Sequence, residues 1–209
     1  MFRPALSLTG ILTIFLLLPY LSNAQQAEAP VYRDGDWWRV KVDVVRPSDV
    51  SVAGPVLERF PEYIVKFESN QPKVFGVRGN ESKEVNSQAV TSLVLGKPPW
   101  LGEMLKFPLR VGLTWSDRLK FQPPGAQMRW EDAKYEVQAW EKARTPKGEF
   151  DAFKIVMTMN VPEAVKSRGP TELRTHTYYY APDVKAIASF DTAGSARVTS
   201  SLIDYSLAK

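Results

Sequence analysis

Few side chains of this 209-residue chain could take part in catalysis or bind a metal. The sequence contains a single histidine, His176, and no cysteine. These counts exclude thiolate metal sites, multi-histidine zinc sites and cysteine nucleophiles. A Ser-His-Asp triad would have to use His176, which lies in the Thr/Tyr-rich stretch 175–180. A triad requires a specific geometry of its three side chains, and the presence of the residue types alone does not indicate one. We therefore expect this histidine to form hydrogen bonds within a sheet.

Carboxylates are the remaining route to catalysis. Glu131 and Asp132, with Glu62 or Glu68, could in principle flank a glycosidic bond. Adjacent residues of a strand point to opposite faces of a sheet, so Glu131 and Asp132 cannot act as one pair unless a bulge intervenes. The sequence also lacks the glycine-rich patterns of nucleotide-binding proteins and the G-x-S-x-G pattern of α/β-hydrolases. We therefore expect a protein that is not an enzyme and has no metal or cofactor, with a carboxylate-dependent hydrolase as an alternative.

Aromatic residues are the chemical feature that the sequence does offer. There are 6 Trp, 8 Tyr and 10 Phe, and several tryptophans fall at strand positions that a single sheet cannot bury. These rings either build the core, as aromatics generally do, or line a pocket for an apolar or lipid-like ligand. A pocket of that kind needs a cavity above about 300 Å³. The candidate ligand-binding residues are Trp115, Trp130, Trp140, Tyr178 and Tyr180.

Two successive β-hairpins position most of these rings. The first joins residues 135–140 to 150–161 through Thr145-Pro146-Lys147-Gly148, where the proline fixes φ and the glycine supplies a positive φ. The second joins 171–180 to 185–191 through a turn at 181–184, with Pro182-Asp183 at its centre. Strict alternation in the first hairpin places Trp140 on the face opposite Tyr135.

The rest of the chain alternates in the same way. The alternation predicts strands at positions that precede and follow the two hairpins, with loops rich in proline and glycine between them: 37–45, 63–68, 73–78, part of 86–95, 113–121 and 196–207. Short helical turns are predicted at 56–60 and 101–107. The fold class is therefore all-β and mainly antiparallel, a single curved sheet or incomplete barrel with one or two short helices. Residues 25–209 form one domain.

The N-terminus has the pattern of a signal peptide, residues 1–24. Arg3 precedes an apolar run, 6–18, that is too short to span a bilayer, and Ser22-Asn23-Ala24 places small residues for cleavage after Ala24. We expect a periplasmic or secreted protein that is not a transmembrane protein once the signal is removed. The formal net charge is +4 and the charges are dispersed, so no nucleic-acid partner is predicted.

Three stretches resemble a pattern of uncharacterised bacterial exported proteins, G-x-T-W, then TPxGxFxAxKI, then YYAPxVK. They are residues 111–115, 145–155 and 178–185. The resemblance implies a periplasmic or surface all-β domain, similar in shape to the half-barrels that carry lipoproteins or other apolar cargo, and it implies no catalytic residue. The sequence thus favours an envelope protein that binds an apolar ligand or a protein partner. The alternative is an assembly factor that pairs through a β-edge.

Overall fold

The computed structural model describes residues 25–45, 60–96, 103–121, 129–162, 171–193 and 197–209. The signal peptide predicted for 1–24 lies outside these ranges, as does nearly all of the helical turn predicted for 56–60. Within the described residues, no helix is long and apolar enough to cross a membrane.

Ten strands form one open antiparallel sheet, and two short strands form a second sheet. In chain order the elements are β1 (Gln26–Ala27), β2 (Trp37–Val45), β3 (Glu62–Glu68), β4 (Gln71–Arg78), β5 (Glu81–Glu84), α1 (Gln88–Leu95), β6 (Leu109–Arg110), β7 (Thr114–Phe121), β8 (Arg129–Thr145), β9 (Gly148–Pro162), β10 (Thr171–Ala181), a 3-10 turn (Pro182–Val184), β11 (Ala186–Ala193) and β12 (Arg197–Ser206). The predicted fold class is confirmed: the structure is mainly antiparallel β, with one α-helix in the part of the chain that it describes.

The large sheet is built from two meanders that meet at β2 and β12. Its order is β5-β4-β3-β2-β12-β11-β10-β9-β8-β7, so each strand except at that junction lies beside its neighbour in sequence. β1 pairs with β6 to form the small sheet. The two predicted hairpins are confirmed as the pairs β8–β9 and β10–β11, and the predicted strand 37–45 is β2.

One face of the large sheet is covered by α1 and by the segment 103–110 that follows it. Met104, Leu105 and Leu109 of that segment are buried against the sheet. Alternate side chains of the long strands complete the core, among them Trp38, Val40, Tyr63, Val65, Tyr135, Val137, Phe153, Ile155, Tyr178, Phe190 and Leu202. We call this side of the sheet the covered face.

The strand expected within 86–95 is wrong, because Gln88–Leu95 is the helix α1. The Ser87 side chain caps it by accepting a 3.3 Å hydrogen bond from the Val90 N–H. Gly96 ends it with φ 64°, donating its N–H to the Ser92 carbonyl at 2.9 Å. A short apolar run has the same pattern in a buried strand and a buried helix, so alternation could not distinguish them. The helical turn expected at 101–107 is also wrong for its described part, since 103–107 contain no helix.

Trp140 lies on the other face from the one that strict alternation predicts. A register shift between Val137 and Ala139 inserts one extra residue in β8, and Trp140 then stands opposite Phe153. Phe153 belongs to the covered face, so the bulge turns Trp140 toward the core.

A buried carboxylate joins the two ends of the chain to the middle of the sheet. Asp36 is 0 % exposed. Its Oδ2 accepts hydrogen bonds from the Arg33 N–H at 3.0 Å and from Lys185 Nζ at 3.3 Å, and its Oδ1 accepts one from the Ala208 N–H at 2.7 Å. We call these contacts the Asp36 clasp.

The packing of segment 103–110 on α1 can be tested at Gly96. A methyl group at this position would lie 2.5 Å from Leu105 Cδ1, whereas one at Gly112, which also has a positive φ, would meet nothing within 4 Å. Both Gly→Ala variants lose the left-handed freedom of glycine. We expect Gly96→Ala to lower the free energy of unfolding by about 1–3 kcal/mol more than Gly112→Ala does, measured by urea denaturation. Equal losses would show that Leu105 does not pack on the end of α1.

Candidate functional site

Two of the five predicted ligand-binding residues form hydrogen bonds to segment 103–110, which we call the covering segment. Trp115 Nε1 donates a 2.8 Å hydrogen bond to the Glu103 carbonyl, and the indole stacks on Tyr135 with ring centroids 4.9 Å apart. The hydroxyl of Tyr178 donates a 2.6 Å hydrogen bond to the Met104 carbonyl. Both side chains are nearly inaccessible to solvent. Each satisfies its polar atom with backbone of the covering segment, as buried Trp and Tyr usually do.

The other three rings make different contacts. Tyr180 is buried with its ring edge-on to Phe107, and Trp140 is half-buried against Phe153. Trp130 is 57 % exposed. Of the four cavities that we describe in the molecule, Trp115 lines one of about 380 Å³ and the other four rings line none. Ligand binding by these five residues remains a prediction.

The largest of the four cavities is an open groove of about 990 Å³ between the β3–β4 turn and α1. Ser69 and Asn70 form that turn with φ values of 54° and 60°, the left-handed pair that suits a two-residue hairpin. The groove is lined by Tyr32, Phe67, Glu68, Ser69, Asn70, Gln71, Pro72, Lys73, Val74, Glu84, Val85, Asn86, Ser87, Gln88, Thr91 and Leu95. We call this surface the groove.

The floor of the groove is apolar. Phe67, Val74 and Leu95 are buried members of the core that border it. Tyr32 stacks on Phe67 with ring centroids 4.7 Å apart and meets Trp38 edge-on at 5.6 Å. This cluster of rings joins the N-terminal tail to the end of β3.

The rim of the groove is polar and its charges are largely compensated. The Glu68 carboxylate lies 2.8 Å from Lys66 Nζ and 2.9 Å from Lys73 Nζ. Hydrogen bonds from Lys66 and Lys73 lower the pKa of Glu68 to about 2, so this carboxylate stays ionised and cannot serve as a general acid near neutral pH. The remaining rim is rich in uncharged donors and acceptors: Ser69, Asn70, Gln71, Asn86, Ser87, Gln88 and Thr91.

A second pocket of about 320 Å³ lies next to the groove. It shares Tyr32 and Leu95 with the groove, so the two cavities meet at these side chains. The other residues that line it are mostly apolar: Ala29, Pro30, Gly96, Glu103, Leu105 and Phe107. We call this cavity the side pocket.

Sequence reasoning did not find the groove because it treated 86–95 as a strand. A helix there brings Gln88, Thr91 and Leu95 to one side, opposite the β3–β4 turn. The sequence carried two signals for that helix: Ser87 three residues before Val90, and Gly96 after the apolar run.

The carboxylates considered for catalysis lie on two strands that are not neighbours in the sheet, β3 and β8. Glu131 and Asp132 alternate along β8, and Asp132 forms an ion pair with Arg118 at 3.4 Å. Glu62 is bound by the Arg39 guanidinium on the neighbouring strand β2. In sheet order β3 and β8 are six strand spacings apart, about 29 Å measured along the sheet. Among the described residues, no three His, Cys, Asp or Glu side chains come together as a metal site.

Comparisons with known proteins give little further guidance. No protein-family model and no curated protein matches this chain. A solved structure that does match is a protein of Bacteroides fragilis NCTC 9343, described as a candidate exported protein with a YmcC-like fold. It is 12 % identical, the match covers 86 % of this chain and 99 % of that one, and the TM-score is 0.36. At that level of similarity no inference about function follows, and membership of the exported family remains a prediction.

His176 gives a test of the covered face. It lies beside Phe190, ring edge to face, and burial, with a smaller effect of Arg174, lowers its pKa to about 4. The unfolded chain, with a histidine pKa near 6.5, therefore binds more protons between pH 6.5 and 4 than the folded chain does. We expect the free energy of unfolding to fall by up to about 3 kcal/mol over that range because of this histidine.

The variant His176→Gln isolates this contribution from that of the carboxylates. Urea denaturation of both proteins from pH 7.5 to 4 should show the wild type losing stability relative to the variant below pH 6.5. A stability difference that does not change with pH would mean that His176 is solvated in the folded protein.

Proposed function

We propose that this protein is a non-enzymatic protein of the cell envelope that binds an amphipathic, lipid-like ligand in the groove. The observation that carries the proposal is the groove itself, whose apolar floor and polar rim enclose about 990 Å³. Ligand sites commonly have a volume of about 300–1,000 Å³ and combine apolar walls with a few placed polar groups. The open shape suits a ligand that keeps a polar part in water.

The N-terminal sequence supports the location. A positive residue, a short apolar run and small residues before Gln25 are the features of a cleaved export signal. In this proposal the mature protein begins after Ala24 and resides in the periplasm or outside the cell. A chain without cysteine needs no disulfide in that compartment, since its core supplies the stability.

The covered face is a less suitable place for the ligand. Met104 and Leu105 of the covering segment already occupy the space over the long strands, and Trp115 and Tyr178 fix that segment by hydrogen bonds. A ligand between segment 103–110 and the sheet would have to displace these buried groups. The groove needs no such rearrangement.

An assembly factor that pairs through a β-edge is the second candidate. The edge strands of the large sheet are β5 and β7. All four residues of β5 are exposed and three are charged, and charged edge strands resist pairing with another chain. On β7, Asp117 accepts a hydrogen bond from the Glu103 N–H, so the covering segment lies against part of that edge. We favour ligand binding over edge pairing for these reasons.

Ligand binding in the groove can be tested with an uncharged apolar dye, N-phenyl-1-naphthylamine. Gln88 is exposed on α1 and lines the groove, so Gln88→Trp narrows the groove at the start of α1 without altering the core. Asn160→Trp adds the same ring at an exposed position of β9 that lines none of the four cavities. We expect saturable binding to the wild type and to Asn160→Trp, and at least tenfold weaker binding to Gln88→Trp. Equal binding by both variants, or none by the wild type, would refute the proposal.

A further inference from the structure

The groove and the side pocket run one after the other along α1. Gln88 and Thr91 border the groove, Leu95 borders both cavities, and Gly96 borders the side pocket. From residue 88 to residue 96 the helix advances about 12 Å. The two cavities are thus adjacent, with Tyr32 and Leu95 bordering both, and we call the pair of them the trough.

The trough is polar at one end and apolar at the other. At the groove end the side chains of Asn70, Gln71, Asn86 and Gln88 present amides to the rim. At the far end the residues that line the side pocket are mostly apolar, including Leu105 and Phe107, and Glu103 is the one charged residue among them. Such a gradient fits a ligand with a polar head and one apolar chain.

The charges at the groove end oppose an anionic head. Both cations near the rim, Lys66 and Lys73, already contact the Glu68 carboxylate within 3 Å. A second carboxylate, Glu84, also borders the groove and would repel an anion. Amide side chains donate and accept hydrogen bonds at once, which suits hydroxyl groups.

We infer that the trough binds a single-chain amphiphile with an uncharged, hydroxylated head. The head lies in the groove between the β3–β4 turn and the start of α1, and the chain runs past Tyr32 and Leu95 into the side pocket. This inference rests on the proposed function of the groove and adds the class and the orientation of its ligand.

This orientation predicts that the affinity rises with the length of the alkyl chain until the side pocket is full. Alkyl maltosides with chains of 6 to 12 carbons serve as probes, titrated as monomers by calorimetry. Each CH₂ that enters the pocket should raise the affinity of the wild type roughly three- to fourfold. Ala29 is exposed and borders the side pocket, so Ala29→Trp should stop this gain at a shorter chain, whereas the matched control Ala29→Ser should not.

The head group is tested with probes of one chain length. Dodecanoate, whose head is anionic, should bind at least tenfold more weakly than dodecyl maltoside. An unchanged dependence on chain length in Ala29→Trp, or equal binding of dodecanoate and the maltoside, would overturn the inference.

Binding of the dye distinguishes a failure of this inference from a failure of the proposed function. If the wild type binds the naphthylamine through the groove and no maltoside, this inference fails and the proposed function stands. If the wild type binds neither probe, the proposed function fails as well.

Discussion

The architecture depends on a carboxylate that is buried completely and yet fully engaged. Removing a charge from water costs several kcal/mol, so Asp36 is stable in the core only while its partners stay in place. Those partners come from three distant parts of the chain, the N-terminal tail, the turn after β10 and the residues after β12. Lys185 adds a 2.9 Å hydrogen bond to the Val31 carbonyl, and Trp38 Nε1 donates one of 2.6 Å to the Val184 carbonyl. The clasp thus fixes the segment 31–36 and the residues after β12 near the junction of the two meanders.

The same contacts set the floor of the groove. The Gly35 N–H donates to the Phe67 carbonyl at 2.9 Å, and the Phe67 N–H donates to the Asp36 carbonyl at 2.8 Å. The end of β3 is therefore tied to the residues that form the clasp. Tyr32, four residues before Asp36, stacks on Phe67 from the tail side. The groove lies where the N-terminal tail, β3 and α1 meet, and the backbone hydrogen bonds of Phe67 join its lining to the Asp36 clasp.

Much of the fold was predictable from the sequence, because a long run in which apolar and polar residues alternate is typical of a half-buried strand. Trp37–Val45 alternates clearly and is a strand with those bounds, and the proline-containing turns at 145–148 and 181–184 close hairpins as expected. Alternation predicted the wrong face for Trp140, because a bulge before it shifts the register by one residue. It predicted a strand in place of α1, because that apolar run is too short to show its period. The groove could not be predicted, because α1, the helix that borders it, was expected to be a strand. The groove combines residues far apart in sequence, and the aromatic residues that stood out in the sequence mostly build the core.

The most direct test of the central claim, that the Asp36 clasp holds this arrangement, is a double-mutant cycle of Asp36→Asn and Lys185→Met followed by urea denaturation. Lys185→Met leaves a buried carboxylate without its cation and should lower the free energy of unfolding by about 3–5 kcal/mol. The two substitutions together should cost less than the sum of the single ones by more than about 1 kcal/mol, since both remove the same interaction. Additive losses, or single losses below about 0.5 kcal/mol, would contradict the account.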